Sequence, residues 1–554
     1  MRLATFSGAP NTESGRKLIL LLLLCAAWLL PGLVGHDPWK PEEGVSFGII
    51  VHMLRTGDWL VPTLADEPYL RFGPLYYWTA ALFVKALSWA LAPYDAARLA
   101  SGLYIALTIF AIARATREFF GPTMPRLAVA LLIGCVGLLV HAHEMVTDTA
   151  LLAAYALVLW GLALSLRRAI GGGVLLGLGI GIAFLARGLV PVVVIVLTVL
   201  LLPAFQPWRS RRYLTALGIG LAMSAPFLVI WPWLFHAYAR DMFFHWWRVE
   251  NLPLIAKFSS TYARNELNYF LRLLPWFAWP VLPIALWTLW GYRKKFLQEP
   301  GLQLPLVFFL ITFSFTSLNA ETRDIHMLPV LLPLVLLAVP GAETLRRGAA
   351  NALGWFGIMT FGLASLFIWL AWLTLMSGQP QPFYQHILSF HPGYEPRFAA
   401  LAFFAAILLT VLWFLPLRRS FRSGRRAVFH WAAGITLMWG LAATLLLPWL
   451  NHGRSYAPLV AAVVKQLPAD YDCIGSVGLG EAQRGLLYYY GGIVTQRAER
   501  DEFDAYGCDV FLLQTNPQHA DARPGEGWEK YWQAGRPGDK SEVFALYRAR
   551  ESAR

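Results

Sequence analysis

Stretches of about 20 apolar residues, the length an α-helix needs to cross roughly 30 Å of hydrocarbon, recur along this chain from residue 18 to about residue 450. They leave little choice of fold. Hydrophobic residues make up 57% of the 554 residues and charged ones only 14%, a balance too apolar for one soluble globular protein. Spans are expected at 18–35, 97–117, 127–145, 149–166, 172–187, 189–205, 213–234, 270–291, 303–318, 327–345, 351–376, 398–416 and 428–449. The fold class is therefore mainly α: a polytopic transmembrane helix bundle of about thirteen spans, with the lipid bilayer as its solvent. The first run ends at Pro31 and "GLVGHD", a poor small-x-small cleavage site, so it reads as a retained anchor.

Arginine and lysine set the orientation, because short loops rich in them stay in the cytoplasm. Arg2, Arg16 and Lys17 precede the first span, and Arg114, Arg117 and Arg126 separate the second from the third. Arg209, Arg211 and Arg212, then Arg293, Lys294 and Lys295, then Arg346 and Arg347 continue the alternation, and Arg418, Arg419, Arg422, Arg425 and Arg426 complete it. All fall on one side. The net charge of +13 is thus spread over loops as a topological signal and is no footprint of nucleic acid. An odd number of spans places the long first loop and the C-terminal tail together on the outer, periplasmic face of a bacterial inner membrane.

The chain divides at about residue 450. Residues 1–450 form the membrane domain, with residues 36–96 as its first outer loop, and residues 451–554 form a small periplasmic α/β domain. In the loop, Pro74 to Ala92 is long and apolar, yet Tyr76, Tyr77, Trp78 and Lys85 mark it as a helix at the membrane surface and not a further span. "EEGVSFGIIVHMLRTG" is expected as a second short helix lying flat beside it. In the tail, "APLVAAVVKQLP" and "EAQRGLLYYYGG" read as helices, and "YDCIGSVGL", "CDVFLLQ" and "EVFALYRA" as strands. Cys473 and Cys508 lie on the oxidising side, where a disulfide and two buried thiols are both open.

Ionisable groups at membrane depth are costly, so function is their default explanation. Four outer sites carry them: Glu42 and Glu43; His141, His143, Glu144 and Asp148; Arg187; and Glu321, Arg323, Asp324 and His326. Glu250, Asn251 and Lys257 lie in a further outer loop, where they meet an acceptor or are solvated. A carboxylate beside an acceptor hydroxyl serves as general base, and arginines neutralise a leaving phosphate through charge-assisted hydrogen bonds. The assembly suits transfer from an anionic lipid donor. His141, His143 and Glu144 also raise a metal site, but on a helix His-x-His turns its rings about 200° apart. A divalent metal ion as cofactor stays open.

"KPEEGVSFGIIVHMLRTGDWLVPTLADEPYLRFGPLYYW" resembles the first outer loop of the aminoarabinose transferase family that modifies lipid A, within the C-type integral membrane glycosyltransferases, relatives of the protein mannosyltransferases. "VTDTALLAAYAL" is similar to the family's second acidic motif, "GIAFLARGLVPVVV" to its Phe-Leu-x-Lys-Gly segment, and "ETRDIHMLPVLLPL" to its basic Leu-Pro-rich motif. The resemblance implies sugar transfer from a polyprenyl-phosphate-linked donor to a lipid, glycan or protein acceptor, with inversion, by a monomer. It implies that Glu42 stands where the family has its base Asp, with Glu43 able to share the role, and that Asp148 is the second acid. Arg187 stands in place of a lysine, and Tyr69 opens the Tyr-x-Glu-Lys-Pro-Pro motif. Arg71, Phe72, Gly73 and Pro74 replace its Glu-Lys-Pro-Pro, leaving Arg71 to supply the lysine's charge. Arg323 is the phosphate candidate beside His326, itself more ordinarily a structural histidine.

Two other classes compete. A lipid-sugar transporter or flippase would share the many spans and broken helices, but should show internal repeats, which this chain lacks. A non-catalytic lipid-sugar binding protein would explain the altered "LRFGP".

Overall fold

The computed structural model describes residues 12–251, 263–318, 323–415, 423–500, 505–519 and 522–549. Arg2, Lys257, Glu321, Arg418, Arg419 and Arg422 lie outside these residues. α1 (Thr12–Leu29) opens the bundle and an outer segment follows: α2 (Glu42–Thr56), a hairpin of β1 (Thr63–Leu64) and β2 (Glu67–Pro68), and α3 (Leu75–Leu87). Next come α4 (Pro93–Phe120), α5 (Pro125–Ile133), α6 (Asp148–Ser165), α7 (Ala169–Arg187), α8 (Leu189–Leu201), α9 (Arg211–Tyr238) and the short α10 (Arg240–His245). α11 (Ala263–Phe277), α12 (Val281–Tyr292), α13 (Pro300–Ser317), α14 (Leu328–Glu343), α15 (Arg347–Ser377), α16 (Gln381–Phe390), α17 (Ala400–Phe414), α18 (Gly424–Leu441) and α19 (Leu447–Arg454) complete the bundle.

Among the described residues eight helices are long and apolar enough to cross a membrane, or ten if two bent pairs each make one span. That is fewer than the thirteen apolar runs. The difference lies in α1 and in the shorter apolar helices Leu189–Ala204 and Ala400–Phe414. α3 has 13 residues and falls outside the span-length class, as its aromatic crowd and Lys85 suggest.

Two helix pairs are sharply bent. Pro125–Ile133 meets Val136–His143 at 67°, and Leu267–Phe277 meets Val281–Tyr292 at 93°. Backbone groups freed at a bend inside a membrane need partners; the two bends share one bond and α18 supplies another. Val136 N–H donates to the Trp279 carbonyl at 3.2 Å, and the Trp431 indole N–H donates to the Gly134 carbonyl at 2.8 Å. Elsewhere small residues let backbones touch, as membrane helices without a hydrophobic driving force require. A Cβ on Gly172 would lie 2.6 Å from Ser165 N in α6, and one on Gly177 would lie 2.6 Å from the Gly220 carbonyl in α9.

The tail folds as expected from its alternation. α20 (Ala457–Gln466) and α21 (Glu481–Gly491) pack on a five-stranded sheet of β3 (Ile474–Val477), β4 (Gln496–Arg497), β5 (Val510–Thr515), β6 (Trp528–Ala534) and β7 (Val543–Ala549), in the order β4-β3-β5-β7-β6. β3 runs parallel to β4 and β5, and β7 antiparallel to β5 and β6. Cys473 and Cys508 form a disulfide.

α2 is covered by protein. Residues Glu43 to Met53 are buried, because α21 lies across it on one side and α3 on another. Glycines make the approach: a Cβ on Gly48 would sit 2.7 Å from Gly485 Cα and 2.6 Å from Leu64 Cδ1. Overpacking of this kind costs about 1–3 kcal/mol. Gly48→Leu is therefore expected to lower the unfolding temperature in detergent and to speed proteolysis of the tail. Gly291→Ala, where a Cβ meets nothing within 4 Å, should leave both unchanged.

Candidate active site

The loop's two adjacent glutamates go to different places. Glu43, 2% exposed, turns into the protein and binds Arg98 of α4, with Arg98 Nε donating to Glu43 Oε1 at 2.7 Å. The same carboxylate accepts from the backbone N–H of Trp39 at 3.0 Å and of Met145 at 3.2 Å. Burial opposes its charge, but Arg98 and His36 outweigh burial and hold the carboxyl below its usual range. Glu43 thus pins the N-terminus of α2, where a helix dipole favours acids.

Glu42, one residue earlier on α2, faces away from that clamp and pairs with Arg323. The neighbouring residue, Asp324, lies 3.4 Å from His141 Nε2, whose Nδ1 lies 2.7 Å from Glu144. His141 is thereby held between two carboxylates. His143 points elsewhere: its ring nitrogens lie 2.7 Å and 3.0 Å from the carbonyls of Leu139 and Trp28, and its ring packs on Trp28 and Trp439. The pair diverges on a 3₁₀ turn. No group of three or more His, Cys, Asp or Glu among the described residues is disposed to hold a metal ion.

Beside this network opens a cavity of about 1230 Å³. Tyr69, Arg71, Asp148, Arg187, Glu250 and His326 all line it, whereas Glu42, Glu43 and Arg323 do not. Two of these groups stand at helix ends. Asp148 is the first residue of α6 and Arg187 the last of α7, and the two form an ion pair. Gly188, with φ +72°, breaks the chain between α7 and α8, and the Asn251 side chain caps the new helix by accepting from Leu189 N–H at 3.0 Å. Glu250 sits beside Asn251 in a π-helical turn, Trp246–Asn251.

The departure at "LRFGP" has a structural basis. The Phe72 ring lies under Arg187 at 4.1 Å and near Arg71 at 5.5 Å, so it serves as a platform for two cations. Gly73 N–H donates to the Ala186 carbonyl at 3.0 Å, and a Cβ there would meet the Leu185 carbonyl at 2.0 Å. Below these groups the wall turns apolar, with Leu151, Val190, Pro191, Val194, Phe315 and Pro329. Tyr69 donates to Glu481 of α21 at 3.4 Å, and burial, then Glu481, push its phenol up to about 12, so it stays a donor.

Sequence reasoning missed Arg98, Glu67, Phe72 and the tail residues Glu481, Arg484, Arg497 and Arg500. Arg98 carried a usable signal, an arginine in the first turns of a span. The tail residues carried none, since charged residues in a soluble tail are ordinarily solvated, and Glu67 and Phe72 stood in the quoted loop motif with no mark of their partners.

A family model described as dolichyl-phosphate-mannose-protein mannosyltransferase matches residues 66–231. The undecaprenyl phosphate-α-4-amino-4-deoxy-L-arabinose arabinosyl transferase of Pseudomonas aeruginosa (strain UCBPP-PA14) is 30% identical over 450 residues, covering 78% of this chain and 76% of the relative. The transferase of the same description from Serratia proteamaculans is 27% identical, with 65% of each chain covered. Crystal structures of ArnT from Cupriavidus metallidurans, bound to undecaprenyl phosphate and apo, each superpose with a TM-score of 0.68. Identity is 19% and 17%, and they cover 96% and 97% of this chain and 98% of each ArnT chain, so the likeness is one of fold.

The Glu43 clamp gives a pH prediction. Its folded-state value lies below the usual 4.5, so its stabilisation is full above 4.5 and is lost as pH falls through the folded value. Glu43→Gln removes one of the two carboxylates paired with buried Arg98, leaving Asp95 at 2.9 Å, and is expected to cost about 3 kcal/mol at pH 7, the low end for breaking a buried pair. Unfolding midpoints of wild type and variant should converge as the pH drops well below 4.5.

Proposed function

The chain belongs to the undecaprenyl phosphate-4-amino-4-deoxy-L-arabinose arabinosyl transferase family, and from that premise we propose that it moves a sugar from a polyprenyl-phosphate donor to a lipid or glycan acceptor such as lipid A. It is a multi-pass membrane glycosyltransferase, with its outer loops and tail on the periplasmic side of the inner membrane. We assign it thirteen spans by counting α1, the two bent pairs, Leu189–Ala204 and Ala400–Phe414 with the eight long helices. Residues 1–450 are the membrane domain and 451–554 the periplasmic one.

The observation that carries the reading is the cavity itself, apolar where Leu151, Val194 and Phe315 line it and charged where Asp148, Arg187 and Arg71 do. A polyprenyl tail suits the first part and a sugar phosphate the second. Arg187 and Arg71, stacked on Phe72, neutralise the phosphate as it leaves. Asp148 fixes Arg187. Glu42, which does not line the cavity while paired to Arg323, takes the proton from the acceptor hydroxyl once the acceptor displaces that arginine. The hydroxyl oxygen then attacks the anomeric carbon opposite the phosphate. The anomeric C–O bond breaks, its electron pair stays on the phosphate oxygen, and the configuration inverts. Arg323 holds the Glu42 carboxylate until the acceptor arrives, and Tyr69, Glu250 and His326 contact the sugar and acceptor. Glu43 acts through α2, setting where Glu42 stands.

The donor set does not suit a metal ion. Arg71 occupies the place of the family's acid. Of the cavity's four carboxylates among the described residues, Asp148 and Glu67 are each paired to arginine, and Glu250 and Glu481 stand on separate elements. No group of three His, Cys, Asp or Glu among the described residues is disposed around an ion. No step is routed through one.

General-base catalysis contributes about 10²–10⁴-fold. Glu42→Gln is thus expected to lower kcat for polyprenyl phosphate release at least about 10²-fold while the donor still binds. Wild-type rates in that variant would remove Glu42 from the reaction. Arg71→Ala is expected to raise the donor KM about tenfold, the worth of roughly 1.4 kcal/mol, and an unchanged KM would leave the phosphate to Arg187 alone.

A further inference from the structure

The cavity carries a second set of cations that the transfer chemistry leaves unused. Arg484 of α21, Arg497 of β4 and Arg500 just beyond it converge on a single carboxylate, Glu67 of the loop hairpin, at 2.6, 3.4 and 3.3 Å. All four residues line the same cavity as Asp148 and Arg187. Glu67 and Arg484 are 6% and 3% exposed, whereas the side chains of Arg497 and Arg500 keep 26% and 37%.

One arginine suffices for one carboxylate. Arg484 already faces both oxygens of Glu67, with Nη1 donating to Oε2 at 3.1 Å and Nη2 in charge contact with Oε1 at 2.6 Å. Arg497 and Arg500 are surplus to that pair. Among the described residues the other carboxylate paired with Arg497 is Glu499, 3.8 Å away and itself exposed. Arg484 Nε and Nη2, both buried, have no hydrogen-bond acceptor among the described residues. Burial, and repulsion from Arg497 and Arg500, pull the Arg484 guanidinium below its ordinary value although Glu67 opposes them. Like charges gathered at a half-buried wall repel, and an incoming anion relieves the repulsion.

The phosphate of the donor already has its cations in Arg187 and Arg71, which come from the bundle and the loop. The surplus arginines come from the tail. We propose that Arg497 and Arg500 bind an oxyanion group carried by the acceptor, with the Arg484–Glu67 pair as a fixed floor beneath it. The tail then determines acceptor specificity. This assignment rests on the transferase reading: the acceptor's anion anchors at the tail while its hydroxyl reaches Glu42.

The test needs no turnover at first. Full-length protein in detergent is saturated with polyprenyl phosphate to fill the donor subsite, and binding of inorganic phosphate is titrated. Arg497→Gln/Arg500→Gln is expected to weaken phosphate at least tenfold, and Glu67→Gln, which keeps all three cations and removes their carboxylate, to tighten it. Initial rates with lipid A as acceptor probe should show the acceptor KM of the double variant at least tenfold higher, with the donor KM within twofold of wild type. If Glu67→Gln weakens phosphate as much as the double variant does, the cluster is a staple for the tail and the proposal fails. It also fails if donor and acceptor KM rise together. Should the double variant not fold, the direction of the Glu67→Gln change decides alone. Wild type that releases no polyprenyl phosphate with any acceptor would sink the transferase reading, whereas turnover with an unmoved acceptor KM would sink only the role of the tail.

Discussion

Arg98 is fully buried and every strong donor on it is used. It binds Glu43 at 2.7 Å and Asp95 at 2.9 Å, and donates to the carbonyls of Leu33 and His36 at 3.2 Å each. A guanidinium at the edge of the membrane is affordable only when satisfied in this way. Through these bonds Arg98 ties the segment after α1, the start of α2 and the start of α4, and through Glu43 it reaches the Met145 turn before α6. Asp148 stands three residues beyond that turn. The positions of both candidate acids, Glu42 and Asp148, therefore follow from one buried ion pair.

The tail is built into the same arrangement. α21 rests on the glycines of α2, and Arg55 donates to the carbonyls of Tyr488 and Tyr489 at 2.8 and 3.1 Å, capping the last turn of α21. Lys40 lies 3.0 Å from Glu542, a carboxylate that Arg536 also binds at 2.8 Å. Glu67 closes the other side of the hairpin with arginines from α21 and the β4 edge. The loop strap from Thr63 to Gly73 is thus fixed at one end by the tail and at the other by the broken helix at Ala186. Cavity walls supplied by both parts cannot keep their shape if either part leaves.

The altered "LRFGP" illustrates how a site keeps its chemistry while its residues change. Against the family pattern that the loop resembles, Arg71 and Phe72 stand for an acid and a lysine, which would lower the count of carboxylates and keep a cation. Phe72 contributes no charge, but its face steadies Arg187, and Arg187 has the fixed geometry that a lysine lacks. Gly73 packs where no side chain could, against the carbonyl of Leu185. The motif reads as divergent in sequence and as a cation platform in three dimensions.

Much of this was legible in the linear chain because it depends on local pattern. Apolar runs of span length, basic loops on one side, and alternation in the tail placed the bundle and the α/β tail, and the ends of apolar runs pointed to Glu42, Asp148, Arg187 and Arg323. Those signals arise from period and transfer free energy, which neighbouring residues set. The sequence could not decide between Glu42 and Glu43, because adjacent positions on a helix differ by a turn of about 100° and only the tertiary contacts say which side meets Arg98. Nor could it gather Arg484 onto Glu67 across 417 residues. Which charges meet is a matter of distance in space, and an ion pair leaves no periodic trace in the chain.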